Sequence, residues 1–180
     1  MSKILVVSSS VRENRAADNI IEIVTAQLAK HNDFEVTVAD FKELEMPFFN
    51  SPLNPSSDEY VADNENVIKW GKLVTDADAI VMLVAEYNRS FTSVLKNAID
   101  WLYKEWANVP VVLIGYGWSG GAGATAQLRQ VLGSNIAAKP METEANLRFM
   151  KEINVNGTVL DEAATAAAIQ TTIEELVTVL

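Results

Sequence analysis

The chain has 180 residues, of which 49% are hydrophobic and 21% charged, and it carries a formal net charge of −10. That length suits one domain with a real core, while the acidic balance argues against a nucleic-acid surface and against docking on anionic lipid. There is no cysteine, so disulfides, thiolate catalysis and cysteine-ligated metals are excluded.

The N-terminal apolar run is too short for a signal peptide, and no stretch reaches the ~18 apolar residues of a membrane span. A cytoplasmic protein is therefore expected. Residues 4–7 are a short unbroken apolar run and read as a first strand. Residues 8–15 form a polar loop. A helix is predicted over residues 17–30, with Ile20, Ile21, Val24 and Leu28 on its inner face. His31, the only histidine, follows in a turn and is expected to meet solvent or the helix dipole. No Ser-His-Asp set assembles around it. In residues 34–40, Phe34, Val36 and Val38 alternate with other side chains, which predicts a strand near the sheet edge. Residues 43–58 contain Pro47, Pro52 and Pro55 and read as a long loop. Its apolar segment Met46-Pro47-Phe48-Phe49 is expected either to pack on its own domain or to cover a ligand or partner subunit. A helix is predicted over residues 58–75, with Val61, Val67, Ile68 and Leu73 available for burial.

Residues 80–84 are an unbroken apolar run, as expected of a strand covered on both faces. A polar turn, residues 85–90, leads into a helix from about residue 92 with Leu95, Ile99 and Leu102 as its apolar stripe. That helix is predicted to end near residues 107–108, and Pro110 marks the restart. Residues 111–114 read as strand four, residues 115–123 as a glycine-rich loop, and residues 124–132 as a helix. A short strand is placed at residues 138–142, where Pro140 restricts it to an edge or a bulge. After a turn at residues 154–157, Asp161 opens a final helix through Ile173 and Leu176. The alternation of strand and helix runs five times. With right-handed crossovers it predicts an α/β fold: a flavodoxin-like, doubly wound, five-stranded parallel sheet of order 2-1-3-4-5 in a three-layer α/β/α single domain.

In such a fold the loops after strands one, three and four meet at one sheet edge, beside the switch in strand order. The first loop offers hydroxyls, two arginines and a helix N-terminus, a phosphate cradle without the Gly-Lys-Ser/Thr of a Walker loop or a Gly-x-Gly-x-x-Gly turn. A serine-rich helix cap with solvated arginines would look similar. The second, Glu86-Tyr87-Asn88, offers an aromatic face and backbone amides for the edge of a planar ligand, or else a simple turn capped by Asn88. The third places Tyr116 and Trp118 among glycines, which let backbone approach a flat ligand closely. Together they describe a mononucleotide with a large ring. FMN fits better than ATP because no Mg²⁺-binding set is evident, and no metal ligands are assigned.

The motifs resemble those of the NADPH-dependent FMN reductase family, flavodoxin-like enzymes that include chromate, quinone and azo reductases. The family's Gly-Ser-x-Arg reads Ser9-Ser10-Val11-Arg12, and its long Pro-Glu-Tyr-Asn motif runs here from Ala85 to Trp101, ending Leu95-Lys96-Asn97-Ala98-Ile99-Asp100-Trp101. Its paired glycines read Gly120-Gly121, followed by Leu128-Arg129. The resemblance spans about residues 3–140. It implies that Ser10, Arg12 and the residues after them, Arg15, Ala16 and Ala17, hold the FMN phosphate. It implies that Ala85, Glu86, Tyr87 and Asn88 border the isoalloxazine ring, with Tyr116, Gly117, Ser119, Gly120 and Gly121 on the other side. Ser9 replaces a glycine, Arg15 stands where many members have a serine, Ala85 replaces proline, and Thr92-Ser93 replaces Pro-Gly. The implied activity passes hydride from NADPH or NADH to bound FMN and on to a quinone, azo compound, metal oxyanion or free flavin. FMN carries the chemistry, so no side chain is assigned as catalytic. A homodimer or homotetramer is expected. Trp101 is expected to pack, and Asp100 to be structural or at a subunit contact. The other readings are an FMN-binding electron carrier and a flavin-free interaction module on the same fold.

Overall fold

The computed structural model describes residues 1–134 and 136–180. Five parallel strands, β1 (Ser2–Ser8), β2 (Phe34–Asp40), β3 (Ala79–Ala85), β4 (Pro110–Gly117) and β5 (Lys139–Arg148), form one sheet in the order β2-β1-β3-β4-β5. The helices are α1 (Ala17–Leu28), α2 (Phe41–Leu44), α3 (Glu65–Asp76), α4 (Ser93–Asp100), α5 (Ala122–Ser134) and α6 (Glu162–Val177). Strand side chains alternate between faces, and the central strands are apolar on both. Leu5, Val7, Ile80, Met82 and Leu113 meet α3, α4 and α5 in one core. Ile4, Val6, Val81, Leu83 and Ile114 meet α1 and α6 in the other. The three-layer architecture and the strand order are those expected from the sequence. Among the described residues no helix is long and apolar enough to cross a membrane.

Several element boundaries differ from expectation; β4 runs through Gly117, so Gly115, Tyr116 and Gly117 of the expected glycine-rich loop are strand. The helix expected from residue 58 starts at Glu65, because the Asn64 side chain accepts from the amides of Asn66 and Val67 at 3.0 and 3.3 Å and fixes the N-terminus there. Val61 and Ile68, both expected to be available for burial, are instead 81% and 51% exposed. The helix after β3 ends at Asp100, and a separate 3₁₀ turn, Lys104–Trp106, follows it. The short helix α2 was not expected at all. β5 runs six residues past its predicted end at residue 142. Pro140 does sit on an edge strand, beside a register irregularity opposite Val111 and Leu113.

The apolar loop segment packs on its own domain. Asn97 accepts from the Phe49 amide and donates to the Pro47 carbonyl, both at 2.8 Å, and the Trp101 indole N–H donates to the same carbonyl at 2.8 Å. Phe49 stands edge-on to Trp101 at 5.0 Å, while Phe48 points outward, 80% exposed. Trp101 is thus a packing residue, as expected, and Asp100 pairs with Lys96 one turn earlier on the same helix.

Candidate functional site

At the carboxyl end of β1 the chain stays buried through Ser8, Ser9 and Ser10 before emerging at residue 11. The Ser9 hydroxyl donates to the Leu83 carbonyl at 3.2 Å, and Thr92, which caps α4, donates to the Ser9 carbonyl at 3.1 Å. The first loop is therefore tied to β3 and to the start of α4. Arg15 ties it to β2. Its guanidinium donates to Asp18 at 2.8 Å, to both carboxylate oxygens of Asp40 and to the Ser10 carbonyl. Burial alone would raise the Asp40 carboxyl, but hydrogen bonds from Arg15 and from the Lys42 amide hold it below its usual range. Arg15 lines the site, yet its donors are engaged by the protein, so it shapes the loop. Arg12, on the exposed part of that loop, has no ion-pair partner among the described residues. α1 then begins at Ala17, and its N-cap Ala16 offers no side-chain cap to the first amides of the helix.

The loop after β3 is a tight hairpin. Tyr87 and Ser90 exchange backbone hydrogen bonds of 2.8 and 3.0 Å, with Asn88 and Arg89 both at positive φ (51° and 69°) between them. Two left-handed central residues are the signature of a type I′ turn. Tyr87 reaches back to Ser10, hydroxyl to hydroxyl at 3.3 Å. The loop after β4 turns under Gly121, at φ +78°, where an added Cβ would lie 2.5 Å from the Tyr116 nitrogen. Only glycine permits that approach. Ser119 donates to Glu86, which joins the second loop to the third.

These three loops enclose a cavity of about 370 Å³, within the range of small-ligand sites. Ser10, Arg12, Arg15, Ala16, Ala85, Glu86, Tyr87, Tyr116 and Gly117 all line it. Asn88 and Ser119 line an adjoining cavity of about 430 Å³ with Glu86, Arg89 and Trp118. Ala17, Gly120 and Gly121 line neither and act as buried backing. A larger groove of about 760 Å³ between α4, α5 and residues 49–55 shares no lining residue with either.

Two wall residues escaped the sequence reading: Phe149, just past β5, and Val155, in the β5–α6 connection. Phe149 was findable, because Met141, Thr143, Ala145, Leu147 and Phe149 alternate with Glu142, Glu144, Asn146 and Arg148, a strand pattern running to the site. Val155 carries no such signal. Its turn reaches the cavity because Gly157 sits against the Ala16 carbonyl, where a Cβ would lie at 2.3 Å, and because the Asn19 side chain donates to the Asn156 carbonyl at 2.9 Å.

The cavity suits a flavin mononucleotide. Arg12 and Ala16, the uncapped N-cap of α1, both line it, a donor set whose chemistry fits a phosphate. The walls are Tyr87, Tyr116, Trp118 and Phe149. The Tyr116 hydroxyl is buried with no hydrogen-bond partner within normal geometry among the described residues; burial pushes that phenol above its ordinary pKa, against the opposing influence of the Ser10 side chain. Fold and site together define a flavodoxin-like protein of the FMN-binding class.

Comparison with known proteins makes this more specific. The family model "NADPH-dependent FMN reductase" matches residues 2–151, and the chain belongs to that family, whose members are oxidoreductases using FMN and NAD(P)H. It is 31% identical over 131 residues to an NAD(P)H-dependent FMN reductase of Schizosaccharomyces pombe, covering 73% of this chain and 66% of the relative. It is also 31% identical over 141 residues to one of Saccharomyces cerevisiae, covering 72% and 73%. Quinone and azo reductases are among its further relatives. In structure it resembles the flavoenzyme NAD(P)H:(acceptor) oxidoreductase FerB of Paracoccus denitrificans, with a TM-score of 0.77 at 22% identity over 99% of this chain and 97% of that one.

Proposed function

We propose that this chain is a single-domain, cytoplasmic NAD(P)H-dependent FMN oxidoreductase that passes hydride from the nicotinamide to bound FMN and on to a quinone, azo compound, metal oxyanion or free flavin. The observation that carries the reading is the convergence of an uncapped helix N-terminus, an unpaired arginine and an unpartnered buried tyrosine hydroxyl on one aromatic-walled cavity. FMN, when bound, supplies the redox chemistry by taking a hydride from the nicotinamide and releasing electrons to the acceptor. The protein binds and orients. The α1 amides and Arg12 hold the phosphate, while Arg15 fixes the loop that presents them. The Tyr116 hydroxyl donates to a polar atom of the flavin nucleotide. Glu86, Tyr87 and Asn88 border the ring along the β3 turn, with Gly117, Ser119, Gly120 and Gly121 backing it from the third loop. We further propose a homodimer or homotetramer, on the support of the outward Phe48 beside the groove lined by α4 and α5.

The test is an absorbance spectrum after FMN addition and desalting, followed by anaerobic NADPH and NADH. Retained flavin that bleaches is the expected result. Retained flavin that stays oxidised with both would make the protein an electron carrier, and absence of flavin binding would leave only the fold.

A further inference from the structure

Asn156-Gly157 is the one Asn-Gly pair in the chain. It lies in the β5–α6 connection, past residue 151, where the family match ends. The turn around it is tightly bonded. The Gly157 amide donates to the Asn154 carbonyl at 3.0 Å, and the Asn156 amide donates to the Asn154 side chain at 2.9 Å. Val155 and Asn156 at the tip are exposed, while Gly157 is buried against the Ala16 carbonyl.

The Asn156 side chain is the unusual part. Its Oδ1 accepts from the Thr158 hydroxyl at 2.8 Å and from the Thr158 amide at 3.0 Å, an amide shared with Asn154 Oδ1 at 3.1 Å. A bond from the amide two residues on closes a small ring. That ring contains both the side-chain carbonyl carbon of Asn156 and the Gly157 nitrogen, an electrophile and a nucleophile kept close together. When the nitrogen attacks the carbon, negative charge develops on Oδ1. Both Thr158 donors already point at that atom, as in an oxyanion hole. Gly157 presents no side chain to obstruct the approach.

We propose that Asn156 is a self-modification site, converting to aspartate and isoaspartate, and that the conversion loosens the wall of the flavin cavity. The Gly157 proton passes to water, and the nitrogen bonds to Asn156 Cγ. The Cγ–Nδ2 bond breaks, and the amide leaves as ammonia with a proton from water. Water then opens the cyclic imide. Cleavage at Cγ leaves an aspartate on an unaltered backbone. Cleavage at the main-chain carbonyl carbon leaves an isoaspartate, whose main chain runs through Cβ and Cγ. The second product adds a main-chain carbon beside Gly157, where even a Cβ would lie 2.3 Å from the Ala16 carbonyl. The 2.9 Å bond from Asn19 to the Asn156 carbonyl and the place of Val155 on the cavity wall depend on the same turn. The modification stands on this geometry alone, and its effect on flavin rests on the reading of the cavity as the FMN site.

The full chain is incubated in mildly alkaline buffer, folded and in urea, and conversion is followed by peptide mass and by separation of aspartate from isoaspartate. Asn156 is expected to convert faster in the folded chain than in urea, while Asn154 in the same turn stays an amide. Thr158→Val keeps the shape and removes the hydroxyl donor. It should slow the folded rate roughly tenfold, less than a donor is worth in a water-excluded site, and leave the rate in urea unchanged. Asn156→Gln should not convert. A folded chain that converts no faster than the unfolded one, or a Thr158→Val variant whose folded rate is unchanged, overturns the site. Aged protein should lose FMN faster on desalting than fresh protein, and aged Asn156→Gln should not; equal retention in aged and fresh protein overturns the effect on the cavity. A fresh chain that takes up no FMN overturns the cavity reading and leaves the modification to be judged by mass.

Discussion

Single residues divide the arginines of the site into different tasks. Arg15 was expected at the cofactor phosphate, but Asp18, Asp40 and Ser10 occupy it, so Arg15→Ala is expected to cost about 3 kcal/mol through the stranded Asp40 carboxylate, read as a shift in urea midpoint. Because the folded-state pKa of Asp40 is depressed, its contribution is present above the unfolded value, near 4, and is lost as pH falls through the lower folded value. Asp40→Asn should therefore lower stability at pH 7 and flatten its loss on acidification. Tyr116 makes the opposite prediction. Its hydroxyl is buried and unpaired, so Tyr116→Phe should raise the stability of the flavin-free protein by about 1 kcal/mol while weakening FMN binding several-fold in a fluorescence titration. A variant that loses stability and keeps FMN affinity would contradict the assigned role. At Arg89 the left-handed backbone costs a non-glycine residue about 1 kcal/mol, so Arg89→Gly should unfold at a higher temperature.

At the scale of elements, the β5–α6 connection decides how the pocket is closed. Glu152 organises it. Its carboxylate accepts from the Arg148 amide at 3.0 Å and from the Arg148 guanidinium, and its carbonyl accepts from Leu160 and Asp161 amides and the Thr165 hydroxyl. Burial opposes that carboxylate, but Arg148 and Lys151 hold its pKa down to about 2. Its stabilising contribution is thus full above the unfolded value near 4.3 and fades as pH falls toward 2. Glu152→Gln should abolish that segment of the acid denaturation curve. Further along, Gly157→Ala would drive a Cβ into the Ala16 carbonyl at a φ of +89°. A cost of about 2 kcal/mol is expected, with faster FMN release in a desalting assay because the same turn carries Val155. The long β3 motif foretold its strand and turn well, since an unbroken apolar run and a polar break are local signals. The full length of β5 is a weaker local signal, because Pro140 stands near its start and the alternation from Met141 to Phe149 shows only over a longer window.

Across the whole molecule, the sheet order brings three sequence-distant loops to one edge. β1 pairs with β2 on one side and with β3 on the other, so the connections after β1 and β3 leave on opposite faces and a crevice opens between them. The proposed assembly belongs to this scale. Sedimentation should give a dimer or tetramer, and Phe48→Asp should shift it toward monomer with the spectrum of bound flavin unchanged; a wild-type monomer would remove that part of the proposal. The sequence by itself determined the fold class, the strand order and the three loops that line the cavity. Buried strands, helix stripes and glycine turns are encoded by neighbours within a few residues, and right-handed crossovers leave few ways to join them. Tertiary structure alone decided which arginines pair with carboxylates. It also brought Val155 to the cavity and left the Tyr116 hydroxyl without a partner. Each of those facts depends on groups far apart in the chain, such as Asp40 against Arg15 or Gly157 against Ala16, and no local pattern of residues carries that information.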